Sequence, residues 1–235
     1  MKISTYSKNT LAFMLVVIGI LIGVTLSVMS TWADFEAAFY GFAKQAKSPL
    51  PGLSCPILMT SNESQTITIK ITNQTSEKIS PSVKMERSTP LAPDTTFEFI
   101  ELAPNESRSF TWTIGPENID LGQFIFAKVL VYSAYPMPDQ ENTCGMFILP
   151  IRGSGTWILI ITSIISILSL ISGAYLLYKS DIPVKQTRSA IFLAAVVLLN
   201  LAVSFTGLWI QSIGLLAITT LMIFIIFSLQ LRQNT

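Results

Sequence analysis

Cys55 and Cys144 are the two thiols in this chain, and the chemistry open to them is oxidation to one another. Both fall in a polar, strand-patterned segment read as extracytoplasmic. An even count there points to a disulfide; the alternative is a pair of buried thiols. A bridge closing so long a loop stabilises a fold by about 4–5 kcal/mol in the chain-entropy model. Little else invites chemistry. There is no histidine, so the commonest general base, metal ligand and axial ligand for haem or chlorophyll is missing. Two cysteines that pair with each other leave none for a zinc or iron–sulfur site. No phosphate-binding loop or dinucleotide fingerprint occurs. Glu86, Glu98, Glu101 and Asp120 scatter through strands and turns and read as solvated surface. The expectation is a non-enzyme without catalytic, metal or cofactor-binding residues and without a nucleic-acid partner.

The elements that must position the cysteines follow from four uncharged, apolar stretches around one polar block. The first lies between Lys8 and Asp34, the second between Arg152 and Lys179, and the last two between Arg188 and Arg232. Each is long enough to cross a hydrocarbon core as a helix, which takes roughly 20 residues. A hydrophobic fraction of 50% with 12% charged residues agrees with that division. The expected order is a cytoplasmic tail (1–9), a first span (10–31), a juxtamembrane amphipathic helix (32–47) and an extracytoplasmic β-sandwich (48–152). A second span (153–178), a cytoplasmic loop (179–188), a third span (189–207), an outer turn (208–212), a fourth span (213–231) and a tail (232–235) complete it.

Charge supplies the orientation. Outside the polar block the basic residues are Lys2, Lys8, Lys179, Lys185, Arg188 and Arg232, with Asp181 as the acid. By the positive-inside rule both termini and the 179–188 loop face the cytoplasm, and the sandwich lies outside. The first stretch reads as a retained anchor, because its apolar run is long and Thr31-Trp32-Ala33 is a poor cleavage site.

Small residues mark the helix faces. Gly19, Gly23 and Ser27 fall four apart, with Ala12 on the same face. Such a face lets another helix approach closely, either a partner's or one of the chain's own spans. Thr162/Ser166 and Ser169/Gly173 repeat the spacing in the second span. Asn200, with Ser204 one turn on, reads as hydrogen-bonding glue between helices. No Asp, Glu, Lys, Arg or His interrupts any span, which disfavours a transporter or channel.

Trp32, Phe35, Phe39, Phe42 and Ala46 recur at helical spacing, with Asp34, Lys44, Gln45 and Lys47 elsewhere. This aromatic face is expected to anchor in the interface, to pack on its own protein, or to meet a partner. From Ser54 the period becomes two. Ile67, Ile69 and Ile71 alternate with Thr and Lys, Phe97 and Phe99 with Thr96 and Glu98, and Phe110, Trp112 and Ile114 with Ser and Thr. The stretches 123–132 and 146–151 are apolar on both faces, as interior strands are. About seven such strands, the last running from Cys144 to Arg152, predict an antiparallel β-sandwich.

Three segments carry a resemblance: Ile67-Thr-Ile-Lys-Ile-Thr-Asn-Gln-Thr, Leu102-Ala-Pro-Asn-Glu-Ser-Arg-Ser-Phe-Thr-Trp, and Asp120-Leu-Gly-Gln-Phe. Over residues 54–151 the chain resembles the immunoglobulin-like, cell-adhesion-related domains of bacterial surface proteins. The resemblance implies a sandwich that binds other proteins or acts as a spacer. Phe124 stands where an antibody-type domain has its corner tyrosine, and Phe126 where it has a second cysteine.

If Cys144 opens the last strand, far from the second span, a bridge carries Cys55 there too. Residues 47–54 must then climb the sandwich, and eight extended residues reach only about 27 Å, so the aromatic helix projects outward. Tyr135, Pro136, Met137 and Pro138, in the loop 134–143, form a stiff, partly apolar knuckle at that tip. It can contact a partner or fold over its own sandwich. Asn62-Glu-Ser, Asn73-Gln-Thr and Asn105-Glu-Ser are glycosylation sequons, relevant only in a eukaryotic secretory route. The functional expectation is a non-catalytic membrane subunit that binds or stabilises other subunits of an envelope complex. It works through its sandwich and helix faces, in the lipid bilayer of a bacterial plasma membrane. The alternative is a free-standing recognition or ligand-binding protein, with a small-solute transporter behind both.

Overall fold

The long apolar runs form four helices: α1 (Thr5–Phe39), α2 (Gly155–Tyr178), α3 (Val184–Ser204) and α4 (Trp209–Gln233). Each contains a stretch long and apolar enough to cross a membrane. The computed structural model describes residues 5–180 and 184–233. Lys2 and Asp181, used above for orientation, lie outside the described residues, as do the side chains of Lys8, Lys185 and Arg232. The chain divides into two compact units, one of residues 1–31 and 158–235 and one of residues 32–157.

In the helical unit the small residues meet the chain's own helices. Ala12 is fully buried in a cluster with Val16 and Leu177. A Cβ on Gly19 would lie 2.6 Å from Leu170 Cγ, one on Gly23 2.8 Å from Val197 Cγ1, and one on Gly173 2.7 Å from Val16 Cγ2. The Ser166 hydroxyl donates to the Gly19 carbonyl at 2.8 Å. Ser169 is buried, and so is Ser27, whose hydroxyl has no hydrogen-bond partner among the described residues. The glycine face of α1 is therefore filled by α2 and α3. A polar chain ties α1 to α4 and α3: Thr31 and Ser212 share a 2.6 Å hydrogen bond, and Ser212 donates to Asn200 Oδ1 at 2.8 Å. Beside it the Ser30 hydroxyl donates to the Ser204 carbonyl at 2.9 Å. The helix bounds differ from expectation. α3 starts ahead of residue 189 and stops at Ser204, where Gly207, in the left-handed region, turns the chain. α4 starts within the expected outer turn.

The second unit holds eight strands: β1 (Ser48–Pro49), β2 (Leu58–Thr60), β3 (Gln65–Thr72), β4 (Ser82–Arg87), β5 (Asp94–Phe99), β6 (Ser107–Ile114), β7 (Phe124–Tyr132) and β8 (Gln140–Leu149). The larger sheet has the order β1-β8-β7-β4-β5, with β2 also on β8, and the smaller pairs β3 with β6. Ile67, Ile69 and Ile71 face Val83, Met85, Ile125, Val129 and Met146 across one dry core, which makes a two-sheet sandwich. Splitting consecutive strands between sheets in this order is the Greek-key arrangement of immunoglobulin-like sandwiches. The sandwich is not wholly antiparallel, because β1 and β2 run parallel to β8. Between them the chain leaves the sheet at Pro51-Gly52, and Ser54 bridges instead to Thr68 of β3. Cys55 follows directly and is held to Cys144, which lies in the interior of β8 rather than at a strand start.

One carboxylate organises the far end of this unit. Glu63 accepts from the Gly155 amide at 2.7 Å and the Ser154 hydroxyl at 2.9 Å, at the first residue of α2. It also accepts from Gln65 Nε2 at 2.7 Å and the Thr60 amide at 3.1 Å. Here a side chain from a strand loop satisfies a helix amide left open by geometry, where negative charge is favoured.

Candidate functional site on the outer face of the larger sheet

Strand β7 is buried on both faces, and its outward side chains build the site. Ile125, Ala127, Val129 and Val131 fill the sandwich core. Phe124 and Phe126 point the other way, against Ala33, Ala37, Tyr40 and Phe42. Phe126 thus stands on the outer face, and not at an inter-sheet cysteine position. The covering segment departs from the expected amphipathic helix of 32–47. It is helical to Phe39, bends at Tyr40-Gly41, and continues without regular structure to Lys47. Its buried stripe is alanine. Ala33 and Ala37 let the helix backbone sit on Gly145 of β8, where a Cβ would overlap the Ala33 carbonyl, and Asp34 accepts the Gly145 amide at 3.1 Å. Trp32, Phe35 and Phe39 meet in tilted ring contacts along a different face, with centroids 6.0 and 4.9 Å apart, and Trp32 and Phe39 are exposed. Phe42 leaves that stripe for the inner cluster, 4.8 Å from the Tyr40 ring.

Further along β7, Lys128 is 1% exposed. Its ammonium donates to the Ala43 carbonyl, sits 3.0 Å from Glu141 and lies 4.0 Å from Glu86, which also binds Lys84 at 2.7 Å. Burial works to raise the Glu141 carboxyl, but the Gln45 and Ala46 amides and Lys128 outweigh it and hold the group below its ordinary value. Tyr40 donates to Asp120 Oδ2 at 2.6 Å. Burial first, then that hydrogen bond and charge, push the Tyr40 phenol up to about 12. A tyrosine hydroxyl therefore reaches Asp120 from the chain before the sandwich, and no such tyrosine stands at Phe124. A cavity of about 300 Å³ opens here, lined among others by Phe42, Lys44, Lys47, Lys128 and Glu141.

The remaining corner of the face is uncovered. Phe97 and Phe99 of β5 are 52% and 78% exposed, on an edge strand. A groove of about 430 Å³ runs past Phe97, Lys84, Leu130, Tyr132, Asp139 and Gln45. Alternation had these phenylalanines facing the core. The structure reverses the strand, because Glu98 turns inward to accept the Trp112 indole N–H at 3.0 Å. A buried indole N–H needs an acceptor, and that outranks hydrophobic pattern at a rim. Sequence reasoning missed this site; the signal was the charged residue set between two aromatics opposite a tryptophan strand.

The other candidates are also placed. Strand β8 begins at Gln140, so the expected loop of 134–143 ends at Asp139. Met137 packs on the core, while Tyr135, 89% exposed, projects with Pro136 and Pro138. Cys55 and Cys144 are disulfide-bonded. Glu86 and Asp120 bind Lys84 and Tyr40, and Glu101 pairs with Lys78. Asn73 is buried and its amide donates to the Glu77, Leu102 and Ala103 carbonyls, so its side chain holds a turn together. Asn62 and Asn105 are exposed. Among the described residues no group of three Cys, Asp or Glu side chains could hold a metal ion.

No protein-family model matches this chain, and no curated protein matches it. Several solved structures resemble part of it. A CARDB domain from Pyrococcus furiosus is 10% identical, with TM-score 0.36, over 47% of this chain and 100% of that domain. A Paenibacillus cycloisomaltooligosaccharide glucanotransferase is 11% identical, with TM-score 0.35, over 44% of this chain and 14% of its own. A Bacteroides uniformis β-glucuronidase is 13% identical, with TM-score 0.32, over 41% of this chain and 12% of its own. The chain spans only a small part of these two enzymes. At such scores the likeness adds nothing to the strand order itself.

Proposed function

We propose that this chain is a non-catalytic integral membrane subunit, both termini cytoplasmic and its sandwich outside, that binds other subunits of an envelope complex. The observation that carries the reading is the exposed pair Phe97 and Phe99 on the open edge strand β5. Edge strands usually blunt their free hydrogen-bonding edge, whereas exposed aromatics beside one suit an added strand from a partner. The four apolar helices and the disulfide support membrane insertion with the domain on an oxidising side. Because α2 and α3 occupy the small-residue face of α1, the helix surface available for partners is the apolar outside of the helices, where Leu11, Met14, Ile161, Leu168, Phe192 and Phe224 are exposed. The test is extraction of the full chain from its native membrane in mild detergent, with particle mass and co-migrating chains identified by mass spectrometry. A stoichiometric set of other subunits, lost in a Phe97→Ser/Phe99→Ser variant that remains folded, is the expected result. A lone 25.9 kDa chain would overturn it. The second reading, a free-standing ligand-binding protein, has the Lys44- and Lys47-lined cavity as its support.

A further inference from the structure

A slot of about 260 Å³ opens between α1, α3 and α4, and every residue lining it is apolar. Val17, Ile20 and Leu21 form one wall, Leu193 the floor, and Ile223 and Ile226 the other wall. Leu21 and Val17 are exposed at its mouth. Its volume falls just under the roughly 300–1,000 Å³ usual for small-molecule sites. The lining offers no hydrogen bond, so no polar solute gains by entering. The end of the bundle at which it lies is the basic one. Arg188, exposed and with no ion-pair partner among the described residues, stands two positions before the lining residue Ala190 in the first turns of α3. Lys8 and Arg232 stand on the other two walls' helices, each within about two turns of a lining residue.

We propose that this slot holds an acyl chain of one anionic phospholipid, whose phosphate is met by Arg188. An apolar groove in a membrane-spanning helix bundle accepts any hydrocarbon. Basic residues at one end add the selection, since a guanidinium binds phosphate bidentately and cationic clusters at the cytoplasmic boundary hold anionic headgroups. The charge complementarity excludes a transmembrane helix as the natural occupant, because an apolar helix has nothing for Arg188 to bind. The proposal rests on the membrane-spanning reading, and its test separates the two.

The full chain is reconstituted into nanodiscs of equal phosphatidylglycerol and phosphatidylethanolamine, released, and weighed by native mass spectrometry. The expected result is one retained phosphatidylglycerol per chain, at least several-fold over phosphatidylethanolamine. Arg188→Gln should lower that preference several-fold, and Val17→Trp, which fills the mouth, should remove the adduct while the circular dichroism spectrum stays unchanged. Equal retention of both lipids, no retained lipid, or a second polypeptide as the bound species would overturn the proposal while leaving membrane insertion standing. A chain that stays soluble and never enters the nanodisc would overturn both.

Discussion

Gly145 in β8 lies directly against the main-chain carbonyl of Ala33 in α1, with no room for a Cβ between them. A helix thus sits backbone-on-strand over the outer sheet face, and this contact keeps Phe124 and Phe126 dry. Gly145→Ala should push the helix off β8. Overpacking of this kind costs about 1–3 kcal/mol, and a backbone obstacle puts this case at the upper end. The thermal unfolding midpoint, followed by near-ultraviolet circular dichroism, should fall by roughly 6–12 °C. An unchanged midpoint would mean that the helix end is not docked in solution.

Lys128, buried on β7, pairs at 3.0 Å with Glu141, which is half-buried at the edge of the cavity. Removing one partner deprives the other of its closest opposite charge, and for a buried pair such a loss costs up to about 3–5 kcal/mol. Lys128→Met and Glu141→Leu should each destabilise strongly, and the double variant should recover most of the loss. A double-mutant cycle by denaturant unfolding measures this; additive losses would argue against a coupled pair.

Two contributions to stability should drain away at opposite ends of the pH scale. Glu63 feels burial, which raises its carboxyl, but the Gly155 amide, Gln65, Ser154 and the Thr60 amide outweigh it and hold the group below 4.5. Glu141 behaves likewise. Carboxyls lowered by folding stabilise above their unfolded value, and that contribution drains as pH falls through 4.5 and below. Glu63→Gln should flatten this acid limb. Tyr40 has the opposite sign: raised from 10.0 to about 12, it stabilises below 10 and loses that effect as pH climbs towards 12. Tyr40→Phe should flatten the alkaline limb and leave the acid one alone. Melting temperatures across pH decide both.

The Cys55–Cys144 bridge closes a loop with a sequence separation of 89. Its loss should cost about 4–5 kcal/mol if chain entropy dominates. Cys55→Ser/Cys144→Ser is the clean comparison, with melting measured with and without reductant. Reductant should lower the midpoint of the native chain and leave that of the variant unmoved.

Periodicity and charge in the sequence were enough for the four apolar helices, the polar block between the first two, and the strands of Gln65–Thr72 and Ser107–Ile114. In each of these, one local rule acts without competition: hydropathy over a long run, or strict alternation with one buried face. The cysteine pairing was legible for the same reason, since two thiols allow one bridge. What tertiary structure alone decided lies where two rules compete. Phe97 and Phe99 face outward because the Trp112 N–H demands Glu98 on the inside, a requirement that arises only once β5 and β6 are brought together. The buried stripe of residues 32–39 is alanine and not aromatic, because Gly145 admits a backbone and nothing larger. Lys128 is buried because Glu141 and the Ala43 carbonyl converge on it from distant positions, and no spacing along the chain announces a partner that folding has yet to supply.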